Sequence, residues 1–187
     1  FSSIKVYGEN SFAKNKYTEE SLLKPESFYG EAKKKCENFF IEKASDKNFS
    51  YFILRLSPLI LESSGTNIGK FYYLVRKGFP LPSFQIGNHN KRSFLSYENL
   101  VKSLFIILNM KIIIQNEIFN LADPDSISTH SLINEIGIIV GRKPKIINLP
   151  DFLFNLMMRV NRLQSILNRV YGNFNISCEK FKNTFSL

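Results

Sequence analysis

The sequence has few residues that could hold a metal ion or crosslink the chain. Its 187 residues contain only two cysteines, Cys36 and Cys178, and two histidines, His89 and His130. The cysteines match neither a CxxC redox pair nor the spacing of zinc ligands. The histidines lie apart from each other and from any cluster of carboxylates. We therefore expect reduced thiols, a cytoplasmic location and no metal site.

Long hydrophobic runs are also missing. The most apolar stretch, residues 104–114, is interrupted by Asn109 and Lys111. A helix that spans a bilayer needs roughly 20 apolar residues, so this stretch is much too short. We expect neither a secretory leader nor a membrane partner.

The chain has fewer acidic residues than basic ones. Lys and Arg number 25 against 16 Asp and Glu, which gives a formal net charge of +9. Such a charge could suit an anionic partner such as a nucleotide or a nucleic acid. The basic residues are scattered along the chain and do not form one stripe, so we expect no nucleic-acid partner.

The order of the predicted elements indicates an α/β protein. Residues 1–6 are rich in β-forming types, residues 26–44 have apolar side chains at helical spacing, and residues 51–56 form a short apolar run. Such a run is typical of a strand in a parallel sheet that is covered on both faces. The β-α-β order then predicts a right-handed crossover in a layered fold.

Further elements are predicted along the rest of the chain. Helices are expected at residues 71–77, 97–110, 129–140, 150–170 and 178–183, and strands at residues 117–121 and 145–148. Ser96 and Ser128 are expected to cap two of these helices, and Gly141 to end one. The helix at 150–170 carries an apolar stripe that we expect to pack in the core. The stripe consists of Phe152, Leu153, Leu156, Met157 and Val160.

Tyr29 and Lys33 form a candidate pair for proton transfer. They are four positions apart on the predicted helix, so their side chains lie on one face about one turn from each other. An ammonium group beside a phenol favours the phenolate and lowers the pKa of the phenol toward neutrality. The motif alone also fits a chance match on a solvated helix face, because the chain contains eight tyrosines.

A serine hydroxyl lies one loop upstream of this pair. Ser3 begins the segment Ser-Ile-Lys-Val-Tyr-Gly-Glu and stands at the C-terminal end of the first predicted strand. Open α/β sheets bind ligands beyond the carboxyl ends of their strands. The position of Ser3 therefore favours a ligand site.

Together, the SSxxVYGE segment and the YGEAK helix resemble the extended short-chain dehydrogenase/reductases. The resemblance is to the NAD-dependent nucleotide-sugar epimerase/dehydratase family, of the UDP-sugar 4-epimerase type. The two motifs are separated as this family separates them, and Glu37 follows the second. The resemblance continues through four more segments and covers nearly the whole chain. These segments are Leu54-Arg55, residues 78–82, residues 91–94 and residues 119–121.

The resemblance implies a role for each catalytic residue. Tyr29 is the general acid/base toward a sugar hydroxyl, and Lys33 lowers its pKa and binds the nicotinamide ribose. Ser3 holds the reacting hydroxyl or the developing oxyanion and binds the substrate, with its neighbour Ser2 as the alternative. These roles fit the chemistry, since a hydroxyl proton must leave as hydride leaves the same carbon, and a serine donor stabilises charge on that oxygen.

The resemblance also implies contacts to cofactor and substrate outside this group. Pro58 lies near the nicotinamide of NAD or NADP. Arg92 clamps the diphosphate of a UDP-sugar with its planar guanidinium, although it also fits a surface position before a helix cap. Lys70 faces the nucleotide where relatives often have asparagine, which is a departure from the family pattern.

One part of the family pattern is missing. No GxGxxG or GxxGxxG motif occurs, although this turn binds the cofactor pyrophosphate near the start of the family's chains. We therefore expect the C-terminal part of a Rossmann-like parallel sheet with a smaller α/β substrate-binding region. Residues 1–60 then carry the catalytic group, and residues 61–187 mainly bind the nucleotide sugar, with residues 97–121 returning to the Rossmann sheet. Alone, the chain is expected to bind NAD weakly and to be inactive.

The resemblance implies an enzyme of nucleotide-sugar metabolism. The leading hypothesis is 4-epimerisation of a UDP-hexose through a transient 4-keto intermediate. The alternatives are a nucleotide-sugar 4-keto reductase and an inactive scaffold of the same fold. Residues 81–84 and 91–94 look most like enzymes of polysaccharide biosynthesis. Relatives commonly dimerise through the helix that bears Tyr29, which implies a homodimer of the full-length protein.

Overall fold

A computed structural model describes residues 1–9, 16–46, 49–62, 66–109 and 115–185. The chain divides into two compact units, each of which contains helices and parallel strands. The first unit comprises Phe1–Leu59, Ser93–Asp125 and Phe174–Leu187, and the second comprises Ile60–Arg92 and Ser126–Asn173.

The described residues form short strands and mostly short helices. The strands are β1 (Ser2–Ser3), β2 (Phe52–Leu56), β3 (Leu81–Ser83), β4 (Glu117–Leu121) and β5 (Ile146–Asn148). The α-helices are α1 (Phe28–Asp46), α2 (Asn67–Lys77), α3 (Ile86–His89), α4 (Tyr97–Leu108), α5 (Thr129–Val140), α6 (Asp151–Met157), α7 (Asn161–Tyr171) and α8 (Glu179–Phe185). The predicted end of α4 at Met110 lies outside the described residues.

The first unit is built on a parallel sheet with the strand order β1-β2-β4. The apolar strand β2 lies in the middle, and its register places Leu54 beside Phe119 of β4. Both side chains are buried, as the apolar run predicts. The strand predicted at residues 1–6 is shorter, because Ser3 caps a 3₁₀ helix at Ile4–Tyr7. Ser3 nevertheless stands at the C-terminal end of its strand.

Aromatic packing stabilises this sheet on the side of α8. The ring of Phe181 meets the ring of Phe119 edge to face, with centroids 5.7 Å apart. Leu54, Leu95 and Leu121 complete the buried cluster around Phe119. This cluster fixes β2 and β4 from one side.

Helix α1 packs differently from the prediction. Its apolar residues recur at helical spacing, but Phe28, Phe39 and Phe40 are all exposed, and within α1 only Gly30 and Glu37 are buried. The helix therefore turns a small residue and a carboxylate inward. Burial of a carboxylate requires a charged partner, which α1 finds on β2.

The close approach of α1 to the 3₁₀ helix yields a stability prediction. A Cβ atom at Gly30 would lie 2.6 Å from the backbone oxygen of Lys5 and 3.1 Å from Cβ of Pro25. We expect Gly30→Ala to lower the free energy of unfolding by about 1–3 kcal/mol, because overpacking outweighs the better helix propensity of alanine. Urea denaturation measures the change, with Glu42→Ala on the exposed side of α1 as the control. Equal stability of the two variants would contradict this packing.

The second unit contains a parallel pair of strands, β3 and β5, in which Leu81 lies beside Ile146. Helices α2 and α5 pack against each other in this unit. The predicted signals at α5 are confirmed: Ser128 Oγ accepts from Ser131 N at 3.0 Å, and Gly141 ends the helix with φ of 70°. The Ser96 cap of α4 in the first unit is confirmed in the same way.

The helix predicted at residues 150–170 is broken into α6 and α7 at residues 158–160. The predicted core stripe is therefore wrong in part. Phe152, Leu156 and Val160 are exposed, whereas Phe154 is buried against Phe84. The break changes the direction of the chain, so one helical period does not describe both segments. Within the described ranges, no helix is long and apolar enough to cross a membrane.

Candidate active site

Lys33 joins α1 to the start of β1. Its Nζ donates a hydrogen bond to the backbone oxygen of Phe1 at 3.1 Å and lies 5.9 Å from the ring centroid of Tyr29. The four-residue spacing of Tyr29 and Lys33 thus places ammonium and phenol ring in contact, as the sequence predicts. Tyr29 is 54% exposed.

Ser3 lies on the segment that α1 packs against. Its Oγ accepts a hydrogen bond from the backbone N of Lys5 at 3.3 Å. The buried Gly30 of α1 touches the same Lys5, and Lys33 contacts Phe1. The first turns of α1 therefore lie along residues 1–5. Lys33 contacts Tyr29 and Phe1, and Ser3 lies on the adjacent strand β1.

Ser2 differs from Ser3 in burial. Its hydroxyl is buried and has no hydrogen-bond partner among the residues that the structure describes. Ser2 lines a cavity of about 290 Å³ together with Lys33, Cys36 and Glu37. An unpaired buried hydroxyl is costly unless a ligand or water pairs with it.

The remaining candidates lie further along the chain. Pro58 follows β2 in the first unit, and its carbonyl accepts a hydrogen bond from Leu95 N at 3.0 Å. Lys70 and Arg92 belong to the second unit. Lys70 is exposed on α2.

Arg92 is buried at the C-terminal end of α7. Its Nη1 donates to the backbone oxygens of Gly172 at 2.6 Å and Asn168 at 3.5 Å. A cation at this end of a helix is favoured by the helix dipole. The carbonyl oxygens at the end of α7 therefore hold the Arg92 guanidinium in place.

A group of buried polar residues surrounds Arg55, and no role for this group is predicted from the sequence. Arg55 Nη2 meets Glu37 Oε2 at 2.7 Å, and Nε meets Oε1 at 3.0 Å, which makes a bidentate pair. Arg55 Nη1 donates to the hydroxyl of Tyr7 at 2.8 Å, and this hydroxyl donates to Asn120 Oδ1 at 2.8 Å. We call these four residues the Arg55 network. All four occur in the segments that carry the family resemblance, which was the available signal.

Burial shapes the ionisation of the Arg55 network. Burial raises the pKa of Tyr7 and outweighs the nearby guanidinium of Arg55, which lowers it. The Tyr7 hydroxyl therefore stays protonated and able to donate. Burial alone would lower the pKa of Arg55, but its hydrogen bonds and charge interaction with Glu37 leave the pKa above its ordinary value. The guanidinium therefore remains charged.

The two cysteines lead to a reactivity prediction. Both are free thiols; Cys36 is exposed, whereas burial raises the pKa of Cys178 to about 11. Only the thiolate reacts with a disulfide reagent, so at about pH 8 we expect one fast and one much slower thiol. Titration with DTNB measures both phases, and Cys36→Ser should remove the fast one. Two equally fast phases would refute the burial of Cys178.

Comparison with known proteins gives one informative sequence match. No family model matches the chain. Over 185 residues the chain is 28% identical to the UDP-glucose 4-epimerase of Vibrio cholerae. The aligned region covers 98% of this chain and 55% of the epimerase. The chain thus spans about half the length of this curated relative.

Solved structures of several sugar-nucleotide enzymes share the fold. The UDP-N-acetylglucosamine 4-epimerase from Bacillus cereus has a TM-score of 0.72 at 19% identity over 100% of this chain and 57% of that chain. The UDP-glucuronic acid 4-epimerase from Bacillus cereus, bound to UDP-glucuronic acid and NAD, has a TM-score of 0.73 at 19% identity, over 99% of this chain and 54% of that chain. The dTDP-glucose 4,6-dehydratase from Bacillus anthracis, bound to NAD, has a TM-score of 0.71 at 19% identity, over 100% of this chain and 54% of that chain.

The chain therefore has the Rossmann-like α/β fold of the nucleotide-sugar epimerases and dehydratases, and the predicted fold class is confirmed. The resemblance inferred from the sequence motifs is confirmed as well, because the sequence match is to a UDP-sugar 4-epimerase. Among the structural neighbours, two of those described hold NAD.

Proposed function

We propose that this chain supplies the catalytic residues of an NAD-dependent nucleotide-sugar epimerase/dehydratase, with 4-epimerisation of a UDP-hexose as its reaction. The observation that carries the proposal is the grouping of Ser3, Tyr29 and Lys33 along β1 and α1. Lys33 contacts both the Tyr29 ring and the backbone of Phe1. The similarity to the Vibrio cholerae UDP-glucose 4-epimerase supports the same reaction.

The proposed roles follow from the chemistry of each group. Tyr29 takes the proton of the sugar 4-hydroxyl and later returns it, and Lys33 holds its ammonium group beside the Tyr29 ring. Ser3 donates a hydrogen bond to the same sugar oxygen and stabilises charge that develops on it. Ser2, with its unpaired hydroxyl, is a second donor to the substrate.

The substrate diphosphate is assigned to Arg92 and the nucleotide to Lys70. The carbonyl oxygens at the end of α7 hold the Arg92 guanidinium in place. A guanidinium held in this way can bind phosphate oxygens with its planar fork of N–H groups. The exposed Lys70 supplies a positive charge.

The residues present fit the nicotinamide end of the cofactor. Tyr29 is exposed, and Lys33 lies beside it as a donor for a ribose hydroxyl. Pro58 is assigned to the edge of the nicotinamide. When bound, NAD supplies a reversible acceptor for the hydride of the sugar carbon. The sequence contains no glycine-rich turn for the pyrophosphate, so the proposal concerns the complete protein that contains this chain.

The test is an assay of the complete protein with NAD and each of UDP-glucose, UDP-N-acetylglucosamine and their C4 epimers. We expect interconversion of one epimeric pair without net NADH, as followed by nicotinamide absorbance. Net oxidation of NADPH with a 4-keto sugar would instead establish the reductase. Failure to convert any of these sugars would refute the 4-epimerase proposal, and failure with the 4-keto sugar as well would leave the scaffold alternative.

A further inference from the structure

The Arg55 network connects α1 to strand β2 on the side of the helix that also carries Lys33. Glu37 is 3% exposed and Arg55 is 2% exposed, so their bidentate pair is fully removed from water. The network continues from Arg55 to Tyr7, which follows Ser3 by four residues, and to Asn120 on β4. It therefore joins α1 to β2, to β4 and to the segment that carries Ser3.

Helix geometry connects this network to the catalytic residues. Tyr29, Lys33 and Glu37 are spaced by four residues, so successive members are rotated by only about 40° around the helix axis. The three side chains form one stripe along α1. The cavity beside Ser2 is lined by both Lys33 and Glu37, as a shared face requires. Any rotation that moves Glu37 moves Lys33 and Tyr29 with it.

Within the described residues of α1, no apolar side chain is fully buried. Gly30 and Glu37 are the buried residues of α1, and Gly30 lets the helix approach Lys5 closely without making a directional bond. The aromatic side chains of Phe28, Phe39 and Phe40 are exposed. The bidentate bond of Glu37 is the buried directional contact of the helix, beside the more exposed bonds of Lys33 to Phe1 and Lys34 to Leu23. A guanidinium fork donates two hydrogen bonds to a carboxylate in one plane, which fixes the orientation of the pair.

We propose that Glu37 and Arg55 are positioning residues that set the rotation of α1 and hold Tyr29 and Lys33 toward the strand of Ser3. The catalytic meaning of this inference rests on the proposed function, whereas the placement of α1 does not. Neither residue is assigned a contact with the reacting atoms. They act through the geometry of the Tyr29 and Lys33 side chains.

The test replaces the pair by apolar residues of similar size. The double variant Glu37→Leu/Arg55→Met removes both charges at once. Replacing a buried ion pair by apolar residues of similar volume often keeps or raises stability. We expect a urea midpoint close to that of the unmodified chain. The acylation rate of the Lys33 amine, measured by peptide mass spectrometry relative to the exposed Lys35, should rise several-fold because the bond to the Phe1 carbonyl is loosened. In the complete protein, kcat should fall by about 10²-fold with KM unchanged.

Two controls separate positioning from stability. Phe119→Leu weakens the core of the same unit and should leave the Lys33 acylation rate unchanged. Arg55→Lys keeps the charge but loses the fork, and it should raise the Lys33 rate even if the double variant fails to fold. An unchanged Lys33 rate in every folded variant of the pair would overturn the inference. A raised rate in a complete protein that turns over no sugar would support the placement of α1 and refute the proposed function.

Discussion

Replacing Tyr29 by phenylalanine in the complete protein is expected to lower kcat by at least about 10²-fold, the usual contribution of a general acid/base. The variant loses only the hydroxyl that exchanges the sugar proton. Its ring remains next to Lys33, and a half-exposed side chain contributes little to the core. The melting temperature and the circular dichroism spectrum should therefore stay unchanged.

The matched control for this experiment is Tyr73→Phe. Tyr73 lies on α2, and its side chain is 57% exposed, close to the exposure of Tyr29. It should retain full turnover. Full activity of Tyr29→Phe in the same assay would remove the phenol from the mechanism and with it the proposed assignment of Lys33.

The Arg55→Met variant is expected to lose about 3–5 kcal/mol of folding free energy, because it leaves the carboxylate of Glu37 buried without a partner. The Tyr7 hydroxyl loses one donor at the same time. A loss of this size is a large fraction of the roughly 5–15 kcal/mol that stabilises an ordinary domain. Urea denaturation of the unmodified chain and the variant measures the difference.

An exposed ion pair provides the comparison. Arg76 forms a bidentate pair with Glu62, but both side chains are at least half exposed, so water and salt weaken their attraction. Arg76→Met should therefore cost only a small fraction of the loss in Arg55→Met. If the two variants are equally stable, the pair of Glu37 and Arg55 is not buried as described.

Local signals predicted several elements correctly. The apolar run of β2 predicted a central parallel strand, and the caps at Ser96, Ser128 and Gly141 are where the sequence places them. These signals depend on residues within a few positions of each other. They could therefore be recognised without knowledge of the fold.

The arrangement of α1 could not be predicted in this way. Helical spacing identified an apolar side, but spacing alone cannot show which side meets the sheet. The buried side is set by Arg55, which lies 18 residues from Glu37 in sequence. The break between α6 and α7 is a further case, because no proline or glycine marks residues 158–160.

The contacts of the candidate site were partly predictable. The proximity of Tyr29 and Lys33 follows from their spacing on one helix. The bond from Lys33 to the Phe1 carbonyl depends on how α1 packs against β1, which the sequence does not specify. The unpaired hydroxyl of Ser2 likewise depends on burial in the folded chain.

The most direct measurement follows the hydrogen on C4 of a nucleotide sugar. The complete protein is incubated with NAD and UDP-glucose deuterated at C4, and the product is analysed by NMR. We predict that the C4 epimer forms with deuterium still on C4, and that Tyr29→Phe yields almost none of it. Epimer that carries solvent hydrogen at C4, or full product formation by Tyr29→Phe, would contradict the account.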